Sequence, residues 1–308
     1  MTRYGIIDLG SNTIRLVVYD VKKASGVFDA KSFSNLISSK KTVGLSSYVE
    51  DGVLGQAGID KAVSALKSLL VRADLLKCDK VGIFATAVIR NCANSKKATA
   101  EIEKRIDCPI DVISGKEEAL LDFAGATCDR QVKRGTLVDI GGGSTELVAI
   151  KDGAPKVPVS LDLGSVAAYK RFVARVMPTP GECGRIGQAM AKRLEGLAET
   201  NAYKCETIYG VGGSIRAMGK MHGALGGSRK ATKLLRAEDV NAMLSLMEDD
   251  PSAFAHTIAQ ESPDRIHTIG SALAIIHTIM EAFGASSIEI CKYGVREGYL
   301  IERMVSKE

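Results

Sequence analysis

Two segments of the 308-residue chain carry the same arrangement of chemically useful residues. Residues 5–20 read GIIDLGSNTIRLVVYD and residues 136–151 read TLVDIGGGSTELVAIK. At one offset Asp8 matches Asp139, Gly10 matches Gly141, Thr13 matches Ser144 and Leu16 matches Leu147. Each segment is an apolar run ending in Asp, a turn of small residues and a second apolar run, the pattern of a β-hairpin. A tip with no bulky side chain presents successive backbone N–H groups, which form an anion-binding concavity. Two facing tips suit two phosphates, or one chain of them. Glycine in a single tip is ordinary turn chemistry; the matched pair, each behind an Asp, favours the phosphate reading. Competing motifs fail on spacing. GGGSTE lacks the sixth-position Gly of a dinucleotide fingerprint, and Lys116 and Lys220 follow glycines without a following Ser or Thr, so there is no Walker A loop.

The acidic residues add a second chemistry. Where the first tip has Asp8 and Arg15, the second has Asp139 and Glu146. Carboxylates beside phosphates repel them unless a cation intervenes, and Mg²⁺ takes one or two carboxylates plus phosphate oxygens and waters. Asp139 and Glu146 are therefore the metal candidates. In ISGKEEALLDFAGA (113–126), Ser114 and Glu117 fit a capping box, which gives Glu117 a structural role and leaves Glu118 without one. A first-turn carboxylate near phosphates could orient and deprotonate a water. Arg90, after the strand in FATAVIRN, has the guanidinium geometry that matches phosphate oxygens. GVGGSIRAM (210–218) reads equally as a third anion contact or as a plain helix start.

The elements that must position these groups alternate. An amphipathic helix is predicted around 58–77 from Ile59, Ala62, Val63, Leu66, Leu69, Leu70 and Ala73. A strand at Lys80–Thr86, a helix near 95–107, a short strand at Ile110–Ile113 and a helix from Gly115 follow. The second half predicts helices near 164–176 and 181–199, a strand at Thr207–Val211, a long helix around 264–284, a strand at Ser287–Cys291 and a terminal helix. The class is α/β. The repeat predicts two domains, 1–127 and 128–294, with the boundary in the polar stretch CDRQVKRG (128–135).

Composition excludes several classes. Apolar residues are 45%, charged residues 25% and aromatics 5% with no Trp, which suits a globular protein and not a nucleic-acid binder that stacks bases. There is no signal pattern at the N-terminus and no apolar run of membrane-spanning length, so no membrane partner is expected. The seven cysteines are scattered without CxxC spacing, as free thiols of a cytoplasmic protein would be. The four histidines stand alone and none is followed by Asp, which leaves no basis for an HD-type metal domain.

DLGSNTIRL (8–16), ATAVIRN (85–91), ISGKEEA (113–119), DIGGGSTEL (139–147), GVGGSIRAM (210–218) and YGVREGYL (293–300) occur in this order along the chain. The set resembles the exopolyphosphatase / guanosine pentaphosphate phosphohydrolase family of the actin–hexokinase–Hsp70 superfamily, in its short form. The resemblance implies two actin-like, ribonuclease H-like domains with a cleft between them, the terminal helix 295–308 packing back onto the first. It implies Mg²⁺-dependent release of terminal phosphate from inorganic polyphosphate, or from the 5′ end of guanosine pentaphosphate. The family's catalytic Glu falls on Glu118, with Asp139 and Glu146 as metal-holding acids. Its phosphate-binding positions fall on Asp8, Gly10, Ser11, Asn12, Thr13 and Arg90, and on Gly141, Gly142, Gly143, Ser144 and Thr145. Lys116 and Leu120 depart from the family's frequent residues and bear on substrate preference. A kinase or ATPase of the same superfamily, and a non-catalytic sensor of guanosine tetra- or pentaphosphate, are the rival readings; homodimerisation is left open.

Net charge is +5, but residues 185–236 hold ten Lys/Arg and three acids, a local +7 that leaves −2 elsewhere. A basic second domain beside a phosphate site would attract a polyanion through screened Coulomb forces, which inclines the substrate reading toward polyphosphate.

Overall fold

A computed structural model describes residues 1–22, 28–228 and 230–306. The chain divides into two compact units. One comprises Met1–Arg130 with the residues from Val295 onward, and the other Gln131–Gly294. All seven cysteines are free thiols.

In the first unit the tip-bearing hairpin is β1 (Thr2–Leu9) and β2 (Thr13–Val21), antiparallel with Asp8 opposite Arg15. β3 (Phe33–Thr42) adds antiparallel to β2, and a small hairpin of β4 (Val49–Glu50) and β5 (Val53–Leu54) follows. β6 (Lys80–Ala85) and β7 (Asp111–Val112) continue the sheet in parallel, giving the order β3-β2-β1-β6-β7. Side chains alternate across a strand. Ile7, Leu9, Leu16, Val18, Ile83 and Ala85 face one side and pack with α1 (Gln56–Leu75) and α3 (Ser95–Ile106). Leu66 and Leu69 of α1 are fully buried, each contributing about 2 kcal/mol of apolar burial. The short α2 (Ala87–Arg90) and α4 (Gly115–Thr127) carry the candidate chemistry. The chain returns to this unit as α11 (Val295–Tyr299), which runs into a π-helix at Leu300–Val305. This return covers the other face of the sheet. Phe84 stacks on Tyr299 with ring centroids 4.8 Å apart, and Tyr19 donates to Glu297.

The second unit repeats the plan. β8 (Arg134–Ile140), β9 (Thr145–Lys151) and β10 (Ala154–Leu161) form an antiparallel meander, and β11 (Thr207–Val211) and β13 (Ser287–Ile290) extend it in parallel. β12 (Leu234–Arg236) closes the far edge, giving β10-β9-β8-β11-β13-β12. The core is built by α5 (Ser165–Phe172), α6 (Pro180–Glu195), α7 (Gly212–Leu225), α8 (Ala237–Asp249), α9 (Pro251–Glu261) and α10 (Ile269–Phe283). In both units three antiparallel strands are followed by two parallel ones, the duplicated order of two actin-like domains.

The differences from sequence expectation have local causes. β3 has only Phe33 and Ser39 buried, so its sequence FSNLISSKKT shows no apolar alternation to announce it. The helix expected from residue 264 starts at Ile269, because Pro263–Arg265 form a 3-10 turn that interrupts the helical register. The expected terminal helix widens to π geometry after Tyr299.

Candidate active site

The two hairpin tips are built alike. In the first, the turn Gly10–Thr13 closes with the Gly10 amide donating to the Thr13 carbonyl at 3.2 Å. The outward carbonyls are then tied down: Asn12 O accepts from the amides of Val43 and Gly44 at 3.0 and 2.9 Å, and Ser11 O from Ser46 at 3.1 Å. In the second, Gly141 O accepts from the Ser165 amide and Gly142 O from Val166 and Ala167, at 2.9, 2.9 and 3.0 Å. The start of a short helical turn thus holds the carbonyl side of each tip. A peptide unit whose C=O is fixed in one direction sends its N–H in the other, so each tip keeps an amide face for an anion. A Cβ on Gly164 would meet the carbonyl oxygens of Gly142 and Gly141 at 2.6 and 2.7 Å, so glycine is required for this docking.

The carboxylates diverge between the units. Asp8 is the register partner of Arg15 across the β1–β2 pair, and its Oδ2 lies 4.0 Å from Arg296 Nη1. Asp139 and Glu146 are instead directly opposite each other in the β8–β9 register, which puts two acids on one sheet face behind the tip. Glu146 is 1% exposed, and its Oε1 accepts from Ser160 Oγ at 2.6 Å. The Asp139 carboxylate lies against the start of α7. Gly212 there has φ +86, and a Cβ on it would fall 2.0 Å from Asp139 Oδ1. Negative charge at a helix N-terminus is favourable. No group of three or more His, Cys, Asp or Glu side chains that could hold a metal occurs among the described residues. Two opposed carboxylates are the donor set of a Mg²⁺ that keeps waters and phosphate oxygens in its other positions, so the residues fit that ion.

Glu118 and Arg90 meet in the first unit. Ser114 caps α4 through the full capping box with Glu117, as the S-x-x-E spacing predicts, and Glu118 follows in the first turn. Arg90, at the end of α2, donates through Nη1 to Glu118 Oε2 at 2.6 Å and to the carbonyl of Ile113 at 3.2 Å. The two side chains are 16% and 11% exposed. A mostly buried carboxylate held by a guanidinium is fixed in place, beside a group whose geometry suits phosphate oxygens.

Thr145 is fully buried and its hydroxyl donates to the Leu163 carbonyl at 2.6 Å, so its side chain anchors the second tip. Lys116 and Leu120 lie one turn apart on the exposed side of α4, whereas Glu118 is buried. GVGGSIRAM forms a strand, a positive-φ Gly and the start of α7, and it brings in a residue the sequence reading missed. Arg265 donates to Ser214 Oγ at 3.1 Å, and its Nη2 sits 2.0 Å from where a Gly213 Cβ would be. Its segment, ESPDRIHT, carries no pattern that marks it. Arg296 and Arg303 were also missed, although YGVREGYL contains the first. Arg303 reaches Glu117 Oε1 at 2.5 Å. Arg229, one of the basic residues of the 185–236 stretch, lies outside the described residues.

Two α/β units with duplicated β-hairpin tips, whose outward carbonyls are tied down, define the class of fold. The chain belongs to the Ppx/GppA phosphatase family, whose profile matches residues 17–307. It is similar to exopolyphosphatase 1 of Mycobacterium tuberculosis H37Rv, 22% identical over 313 residues that cover 99% of this chain and 89% of that protein. Among solved structures it is similar to the Aquifex aeolicus Ppx/GppA family member, with 22% identity and TM-score 0.79 over 100% of this chain and 99% of that one. An exopolyphosphatase from Cytophaga hutchinsonii aligns with 22% identity and TM-score 0.85 over 97% and 96%. Among the described residues no helix is long and apolar enough to cross a membrane.

Proposed function

We propose that this chain is a Mg²⁺-dependent exopolyphosphatase that releases terminal orthophosphate from inorganic polyphosphate. The observation that carries the reading is the mostly buried Glu118–Arg90 pair at 2.6 Å, a carboxylate and a phosphate-matching guanidinium on one short structural link. Family membership and the names of the similar proteins support the choice of a phosphoric anhydride as substrate.

In this reading Glu118 takes a proton from a water whose oxygen bonds to the terminal phosphorus. The bridging P–O bond breaks in line, and the electron pair leaves with the shortened chain. Arg90 and the backbone amides of the two tips stabilise charge on phosphate oxygens, the main catalytic contribution in phosphoryl transfer. Asp139 and Glu146 would hold the cation, which when bound neutralises phosphate charge. Asp8, Gly10, Thr13, Gly141 and Ser144 shape the tips.

The test is Mg²⁺-dependent phosphate release by wild type and Glu118→Gln on long polyphosphate, short polyphosphate and guanosine pentaphosphate. Wild type should turn over polyphosphate, and the variant should retain binding while losing orders of magnitude in rate. Preference for guanosine pentaphosphate would reassign the substrate, binding without turnover would favour a sensor, and near-normal release by Glu118→Gln would remove Glu118 from its role.

A further inference from the structure

We propose that Arg303, on the returning C-terminal segment, is a positioning residue that sets the first turn of α4 and thereby the placement of Glu118. The inference rests on the reading of Glu118 as the base, and its physical part stands on the first unit alone. Glu117 divides its two oxygens. Oε2 accepts from the Ser114 amide at 2.8 Å and completes the cap, while Oε1 accepts from Arg303 Nη2 at 2.5 Å. One residue further on, Glu118 is held by Arg90, which also donates to the carbonyl of Ile113, the residue before the cap. The turn Ile113–Glu118 is thus gripped from two sides, by Arg90 of α2 and by Arg303 of the tail.

The tail is fitted closely enough to act as a brace. A Cβ on Gly298 would lie 1.8 Å from the carbonyl oxygen of Leu121 in α4, so α11 and α4 touch backbone to backbone. Tyr299 stacks on Phe84, and Met304 and Tyr299 fill the space over Gly82 of β6. After Tyr299 the helix takes π geometry, a form that recurs at functional sites. Seven positions before Arg303, Arg296 approaches Asp8 at 4.0 Å, behind the first tip. One segment therefore contacts both the strand end that carries the tip and the helix that carries the base.

A positioning role and a merely structural one predict different results. Arg303→Met should lower kcat for polyphosphate by on the order of tenfold to a hundredfold, the scale of an ångström-level misplacement, with KM little changed. Arg303→Lys should restore part of kcat, and Glu302→Gln, at an exposed neighbouring position, should match wild type. Amide hydrogen exchange of residues 115–119 should quicken in Arg303→Met, whatever the substrate proves to be. Unchanged exchange in that turn, or a kcat loss that only follows the unfolded fraction, would overturn the inference. Quickened exchange in a protein whose wild type does not hydrolyse polyphosphate would instead overturn the proposed function and leave the brace standing.

Discussion

Arg90 Nη1 lies 2.6 Å from Glu118 Oε2 in a setting where both side chains are mostly buried. Removing one member of such a pair strands the other away from water, which costs about 3 kcal/mol. Arg90→Met should therefore lower unfolding stability by about that amount, read from urea denaturation. Adding Glu118→Gln should recover part of it, because no charge is then stranded. Additive losses in the double-mutant cycle would show that the pair is not coupled.

Gly164 and Gly184 make opposite predictions from the same substitution. At Gly164 a Cβ would strike two backbone carbonyls of the second tip, which cannot move without moving the amide face. Gly164→Ala should raise KM for polyphosphate or cut turnover more than it lowers stability. Gly184 lies inside α6 with nothing within 4 Å of an added Cβ. Gly184→Ala should stabilise the protein by roughly 1 kcal/mol through helix propensity, with activity unchanged. Equal effects on activity at the two positions would remove Gly164 from the site.

The hairpins, the capped helix and the parallel strands were legible because each has a local signature: Asp before a small-residue turn, S-x-x-E, and β-branched runs. Ser114, Glu117 and Glu118 needed no tertiary information to be placed on the first turn of α4. β3 was not legible, because an edge strand with one protected face needs little apolar sequence. Arg265 and Arg303 escaped for a different reason. Their partners, Ser214 and Glu117, are 51 and 186 positions away, and no spacing rule links such residues. The contact of the Thr145 hydroxyl with the Leu163 carbonyl was not legible either, because a tip residue's sequence does not reveal which way its hydroxyl turns.

If Asp139 and Glu146 hold the cation, changing Glu146 should act on metal dependence before anything else. Glu146→Gln should raise the Mg²⁺ concentration for half-maximal phosphate release by about tenfold or more. Ser160→Ala, which removes the donor 2.6 Å from Glu146 Oε1, should shift the same curve by less. A Glu146→Gln enzyme with an unshifted Mg²⁺ curve would sink the assignment.

Glu117 gives the acid limb of stability a named contributor. The Ser114 amide, then the Ser114 hydroxyl and Arg303, hold its carboxyl below the usual 4.5. A carboxyl depressed in the folded state contributes stability that is present above its unfolded value and disappears as pH falls through the folded one. Glu117→Gln should therefore unfold at lower urea than wild type at pH 7, and the difference should shrink as pH falls below the usual carboxylate value and through the lower folded one. The capping contact of Glu182, depressed chiefly by the Thr179 amide, should behave likewise. A gap between wild type and Glu117→Gln that stays constant along the whole acid limb would contradict this account.

The basic stretch 185–236 is less uniform in space than in sequence. Arg193 pairs with Asp162 at 2.6 Å, Arg236 with Glu238 at 3.4 Å, and Arg185 with Glu182 at 3.8 Å. Those cations are partly neutralised by Asp162, Glu182 and Glu238, all three of which lie outside the stretch. Lys192, Lys204, Lys230 and Lys233 are exposed, and Lys220 donates to the carbonyl of Glu261 at 3.5 Å. A linear polyanion bound by such lysines releases condensed counterions, so the logarithm of its affinity should fall linearly with the logarithm of salt. Lys230→Gln with Lys233→Gln should flatten that slope for long polyphosphate and leave it unchanged for chains of a few phosphates. Arg193→Gln should change it less, since its charge is already matched. Salt-insensitive binding of long polyphosphate would reduce these lysines to an ordinary solvated surface.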